Sequence, residues 1–262
     1  MPAAARVHRQ LRVRRHRSPT SNGNIGPSSR REDTTMRQIP FRSAPPEQAI
    51  PPGRIGYDLD APILLLHTIQ TGVAYERLLS DGVLRPSPEL AATEWPEAYA
   101  WMNRMMADRL PTTGDAALWL WARIRRYDLV SNCRRASRSS DPQVLLTCRI
   151  PRERVLLSQF DEWHSALNSA LAVTVDPGET DESFESRFDE LTDAFIARLD
   201  DANVRNSPIS EWPADLRAEA ESSWECIFDR RRFDRRSYWQ ATVHDIRAED
   251  VTDAVTIVGA AS

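Results

Sequence analysis

The sequence predicts an α+β fold, a mixed central sheet of about four to six strands with helices inserted between them, and three observations carry that prediction. Residues 63–70, 118–124, 144–150 and 238–246 form short apolar or alternating runs rich in β-branched, aromatic and aliphatic side chains, as strands do. Between them lie longer stretches whose apolar residues recur every three or four positions. No period of about 20 to 50 residues repeats, which sets solenoids and propellers aside.

The N-terminal segment reads differently. Residues 1–56 hold eleven Arg against Glu32, Asp33 and Glu47, with Pro, Ser, Gly and Asn around a single aromatic, Phe41. Such a mixture buries too little apolar surface to offset chain entropy. Residues 1–56 are therefore expected to be a disordered tail and residues 57–262 a single folded domain. The Arg residues from Arg6 to Arg17 lack the apolar spacing of a targeting helix, and Met36 offers a second start. All 34 basic residues are Arg, which fits a GC-rich coding sequence more simply than a phosphate-binding arm. No apolar run approaches the ~20 residues of a membrane span, so a soluble, cytoplasmic protein is expected. Cys133, Cys148 and Cys226 are odd in number and widely spaced, against a disulfide framework and a zinc ribbon alike.

The run at residues 63–70 organises the rest of the chain. After it Thr71 is placed as an N-cap, Ala74, Tyr75, Leu78 and Leu79 fall at helical spacing, and Gly82 supplies a left-handed stop. A second helix starts near Pro96 and ends before Pro111, with Ala98, Tyr99, Met102 and Met106 in its stripe. Residues 118–124 put Trp119 and Trp121 on one face and Leu118, Leu120 and Ala122 on the other. Both faces are apolar, so this strand is covered on each side or lines a pocket with one. Residues 131–142, with Arg134, Arg135 and Arg138, read as a mobile basic loop. Cys148 sits in the strand at 144–150 as a small core residue, and residues 155–157 form a short pairing segment. Ser158 is placed to cap a helix lined by Phe160, Trp163 and Leu167. A further helix begins near Phe184, and another covers about 213–228. An Arg cluster then leads into the strand at 238–246, and a last strand covers about 254–258.

Residues able to do chemistry gather at strand ends. His67, Thr68 and Gln70 tip the first strand, and Gln240 lies in the late one. Gln70 and Gln240 can hydrogen-bond a nucleobase or a carboxamide, or bridge neighbouring strands. Arg230 and Arg232 offer an anion site unless Asp229 and Asp234 neutralise them. His164, near Asp161 and Glu162, reads as a general base or as a half-buried histidine on an apolar face. His67, His164, His244 and Cys226 lack the spacing of metal ligands, and no metal is expected. No Walker loop, dinucleotide fingerprint or nucleophile elbow occurs.

Six separated segments carry a family resemblance: His67-Thr68-Ile69-Gln70, Tyr99-Ala100-Trp101-Met102, Val144-Leu145-Leu146, residues 155–164, residues 223–229 and Gln240-Ala241-Thr242. In this order they resemble the bacterial domain-of-unknown-function family 3841 over about residues 63–258, with His67 where that family usually has Trp. A second resemblance is to the ADP-ribosyltransferase superfold. It implies an NAD cleft formed by a first strand ending in a polar pair, here His67-Thr68, a helix ending at Gly82, and a late strand. That late strand carries Gln240 where the superfold places a catalytic Glu, and Trp121 would stack on nicotinamide. Two function classes are compatible with these residues. One is a cleft for a nucleotide- or NAD-like ligand, with His67 and Gln240 as catalytic candidates and Thr68, Gln70, Trp121, Arg230 and Arg232 as ligand contacts. The other is a non-catalytic module that binds protein or nucleic acid.

Overall fold

In a computed structural model that describes residues 39–51, 58–86, 94–234 and 236–259, the chain opens with β1 (Phe41–Ala44) and one helical turn, α1 (Pro46–Ala49). Then come β2 (Ile63–Thr71), α2 (Gly72–Asp81), β3 (Val83–Leu84), α3 (Pro96–Arg109), β4 (Leu118–Arg123), α4 (Arg126–Ala136), β5 (Gln143–Pro151) and β6 (Leu156–Gln159). The rest is α5 (Phe160–Leu167), α6 (Asp181–Asp201), α7 (Ala214–Trp224), β7 (Trp239–Val243), β8 (Ile246–Arg247) and β9 (Val251–Ile257). A seven-stranded sheet runs in the order β1-β9-β5-β2-β4-β7-β6, and β3 pairs with β8 as a separate ribbon. Only β1 and β9 lie parallel, so the sheet is mixed. The class is α+β, with one strand more than the upper expectation. No helix among the described residues is long and apolar enough to cross a membrane.

The extra strand corrects the expected tail, whose residues 1–38 and 52–56 lie outside the described residues. Averaged over 56 positions the composition is polar, but Ala44, Ala49 and Ile50 are buried together against Val255 and Ile257. The β9 edge supplies backbone partners: Ala254 N–H donates to Pro40 O at 2.9 Å and Val258 N–H to Ala44 O at 3.1 Å. A second correction concerns residues 131–142. They do not form a loop throughout, because α4 runs to Ala136, with Leu129, Val130 and Cys133 buried along one side. A third is the α5 cap. Gln159 Oε1 accepts from Glu162 N at 2.6 Å, whereas Ser158 stays in β6, fully buried. Elsewhere local signals hold: Thr71 accepts from Ala74 N at 3.2 Å, and Gly82 takes the left-handed conformation at φ 72°.

Antiparallel register puts Thr147, His67, Trp121, Gln240 and Ser158 in one row across β5, β2, β4, β7 and β6, hence on one face of the sheet. The opposite face holds the main core, where Leu64, Leu66, Leu120, Leu146 and Ala241 pack with Tyr75 and Leu78 of α2. The row's own face is covered by two separate apolar clusters. One joins α4 and α1 to Leu145 and Val255, and the other gathers Trp101, Met102, Trp163, Phe195 and Trp224 from α3, α5, α6 and α7.

Candidate functional site

Between those two clusters lies a recess of about 360 Å³, within the size range of small-molecule sites. Its position arises from the strand ladder. β2 and β4 share a single paired position, His67 opposite Trp121, and beyond it the two strands part. Thr68 Oγ1 staples the opening by donating to Trp119 O at 2.9 Å, and Gln70 Nε2 donates to Thr68 Oγ1 at 2.9 Å. Thr68, Ile69, Trp119, Leu120, Trp121 and Gln240 line the sheet side; Asn132, Arg135 and Ala136 of α4 line the other.

The lining is aromatic with a few polar atoms left over. Trp119 packs against Trp163 with ring centroids 5.2 Å apart, yet its indole Nε1 is buried without a hydrogen-bond partner. Gln240 Oε1 is likewise buried and unpartnered. A buried amide oxygen or indole N–H without a partner costs free energy, on the order of 1–3 kcal/mol each, so both atoms have capacity to spare for a ligand. They are of opposite sense, one donor and one acceptor. Trp121 is held by Phe160 at 5.0 Å and, edge-on, by Tyr238 at 6.4 Å. Tyr238 donates its hydroxyl to Asp128 of α4, which ties that helix to the approach of β7. Burial, with Asp128 beside it, pushes the Tyr238 phenol up to about 12 and keeps it a donor.

The expected site residues are thus divided. Thr68, Trp121 and Gln240 meet at the recess. His67 is in the same row, but its side chain is outside the recess lining: it is 1 % exposed, its Nδ1 lies 3.2 Å from Thr147 Oγ1, and its Nε2 has no partner. Burial pushes its pKa down to about 4, so the imidazole is neutral at physiological pH. Gln70 is outside the lining and, on the same side of β2 as Thr68, donates to that hydroxyl. Arg230 and Arg232 are elsewhere: Arg230 pairs with Asp60, and Arg232 donates to Thr174 Oγ1 at 2.9 Å. His164 bonds to the Phe160 carbonyl at 3.0 Å and its ring stands edge-on to Phe160. Asn132 and Arg135 fall in the segment expected as a loop, although Leu129, Val130, Cys133 and Ala136 at one- and three-residue steps mark the helix that carries them.

A family model described as a domain of unknown function, DUF3841, matches residues 65–252. The chain belongs to this family. The match spans β2 to β9, so every strand and helix that lines the recess belongs to the DUF3841 part of the chain. No curated protein and no solved structure matches the chain. The function of this DUF3841 domain is therefore to be sought in its own geometry.

Proposed function

We propose that the recess binds a nucleotide- or NAD-like small molecule, its planar ring against Trp121 and its ring amide or amine edge read by Trp119 and Gln240. One observation carries the reading: two residues that line one aromatic recess, Trp119 and Gln240, each keep a buried polar atom without a partner, a donor at Nε1 and an acceptor at Oε1. A heterocycle with an adjacent acceptor and donor on its edge, such as adenine or a nicotinamide carboxamide, satisfies both. Indole stacking adds affinity in proportion to the ring area covered.

The reading is binding rather than group transfer. Where the resemblance to ADP-ribosyltransferases places a Glu, Gln240 has a neutral amide, which lacks the negative charge that stabilises an oxocarbenium-like transition state. None of the side chains lining the recess is a carboxylate. His67, neutral and behind Trp121, acts by positioning that ring rather than by touching a ligand. In the cytoplasm, where we place the protein, ligands of this class are abundant.

Calorimetric titration with NAD, ADP-ribose, ATP and adenosine, repeated on Gln240→Ala and Trp121→Ala, tests the proposal. At least one ligand is expected to bind, with affinity reduced about tenfold by either substitution, as the loss of one buried hydrogen bond or one stacked ring implies. Retention of nucleic acid or a protein partner, with no small ligand bound, would overturn it in favour of an interaction module.

A further inference from the structure

We infer that the ligand of this recess is an anion, and that its single compact acidic group, a monophosphate or carboxylate, is held at the recess mouth by Arg135. The inference rests on the binding reading above and adds the ligand's charge and orientation. Arg135 is the one charged side chain in the lining. It is exposed, and among the described residues it has no ion pair and no side-chain hydrogen bond. Its neighbours are committed: Arg134 Nε donates to Glu47 Oε1 at 2.8 Å, and Arg126 caps the carbonyls of Ile50 and Pro51 at 3.0 and 2.8 Å. Helix-end electrostatics explains a cation in the last turn of α4, but Arg134 already supplies one there. It does not explain why the second arginine lines a cavity and, among the described residues, is matched by no carboxylate.

Asn132 lies one turn before Arg135 on α4 and lines the same wall. Its amide and the planar guanidinium fork suit an oxyanion. The sheet side of the recess is aromatic and uncharged, so the ring of the ligand lies inward on Trp121 and Gln240 and its acidic group outward on α4. That arrangement selects a mononucleotide over its nucleoside.

Calorimetry on the full chain with adenosine, AMP and ADP-ribose decides the matter, using Arg135→Gln and, as a charge control on the exposed side of α2, Arg77→Gln. AMP is expected to bind about tenfold or more tightly than adenosine, as one charge-assisted contact implies. Arg135→Gln should bring AMP down to the adenosine level and leave adenosine unchanged, while Arg77→Gln changes neither. Equal affinity for AMP and adenosine in the parent chain, or equal weakening of both by Arg135→Gln, overturns the anion assignment and leaves the recess a neutral-ring site. Binding of none of the three overturns the recess reading itself.

Discussion

His67 sits between Thr147 and Trp121 with no solvent around it, and the cost of charging an imidazole there sets a pH dependence for the whole domain. Its pKa falls from 6.5 in the unfolded chain to about 4 in the fold. Below pH 6.5 the unfolded state takes up a proton that the native state refuses, so the stability present above 6.5 drains away as pH falls towards 4. The shift corresponds to about 3 kcal/mol. Burial also pushes the Glu162 carboxyl up to about 7, and that group gains stability as pH falls, so the His67 contribution is read as a difference between chains. In urea denaturation between pH 7 and pH 4 the parent should lose about 3 kcal/mol more than His67→Asn does, even though the buried amide lowers stability throughout; parallel pH profiles would refute the assignment. Close packing sets a second expectation at Gly114. A Cβ there would stand 2.8 Å from His244 Cδ2 and 2.9 Å from its Cβ, while His244 is held by Thr112 Oγ1 at 2.8 Å. Gly114→Ala is expected to cost about 1–3 kcal/mol, read as a lower melting temperature, with Gly114→Ser no better. At this scale much was legible. The alternation in β4 foretold that Trp119 and Trp121 would share a face, and Gln240 stood out as a polar residue in an apolar strand. The demotion of His67 to a buried neighbour was not legible, because it depends on Thr147 and Trp121 arriving from other strands.

Among the elements, the β1–α1 segment through Ile50 and the helix α4 are where composition misled, for one physical reason: each buries only three or four side chains, and those sit among charges. The two also hold each other. Arg134 and Arg126 of α4 bind Glu47, Ile50 and Pro51, and Ala49 and Ile50 bury against Leu129 and Cys133. A chain beginning at Tyr57 loses β1, α1 and the backbone partners of β9. A chain beginning at Arg37 keeps them and serves as the reference. From the apolar surface of Ala44, Ala49 and Ile50 the loss is about 3–5 kcal/mol, or roughly 10 °C in melting temperature. Equal melting of the two chains would return residues 41–50 to a dispensable tail. By contrast β2, α2 and α3 were readable almost to the residue, since Thr71, Gly82 and Pro96 mark their ends by local chemistry that needs no tertiary partner.

The order of strands across the sheet is the least local property of the molecule, and the sequence held no clue that β4 would stand between β2 and β7 or that β9 would pair with both β1 and β5. Period and propensity define a strand's faces; which neighbour it takes depends on burial summed over the whole chain. Distant segments are also joined by charge. Arg154, in the turn after β5, donates Nη1 to Asp250 Oδ1 at 2.9 Å and Nη2 to Asp250 Oδ2 at 3.0 Å, and Nη2 also reaches Asp245 Oδ1 at 2.7 Å. Its side chain is 10 % exposed, and those of Asp250 and Asp245 are 5 % and 17 % exposed. Asp250 Oδ2 further accepts from Arg247 N at 2.8 Å, so the same carboxylate shapes the turn between β8 and β9. Removing the guanidinium leaves two desolvated carboxylates facing each other, which is far worse than never having buried the group. Arg154→Met is expected to lower stability by about 3–5 kcal/mol in chemical denaturation. Arg154→Lys should recover only part of that, because an ammonium cannot engage both oxygens of Asp250 and still reach Asp245. The triple change Arg154→Met, Asp245→Asn, Asp250→Asn removes the guanidinium and both carboxylates, leaves Arg247 half-exposed at the edge, and should lie above Arg154→Met alone. A loss below about 1 kcal/mol for Arg154→Met would mean that the cluster is solvated in the native state and does not hold the turn after β5 to the connections around β8.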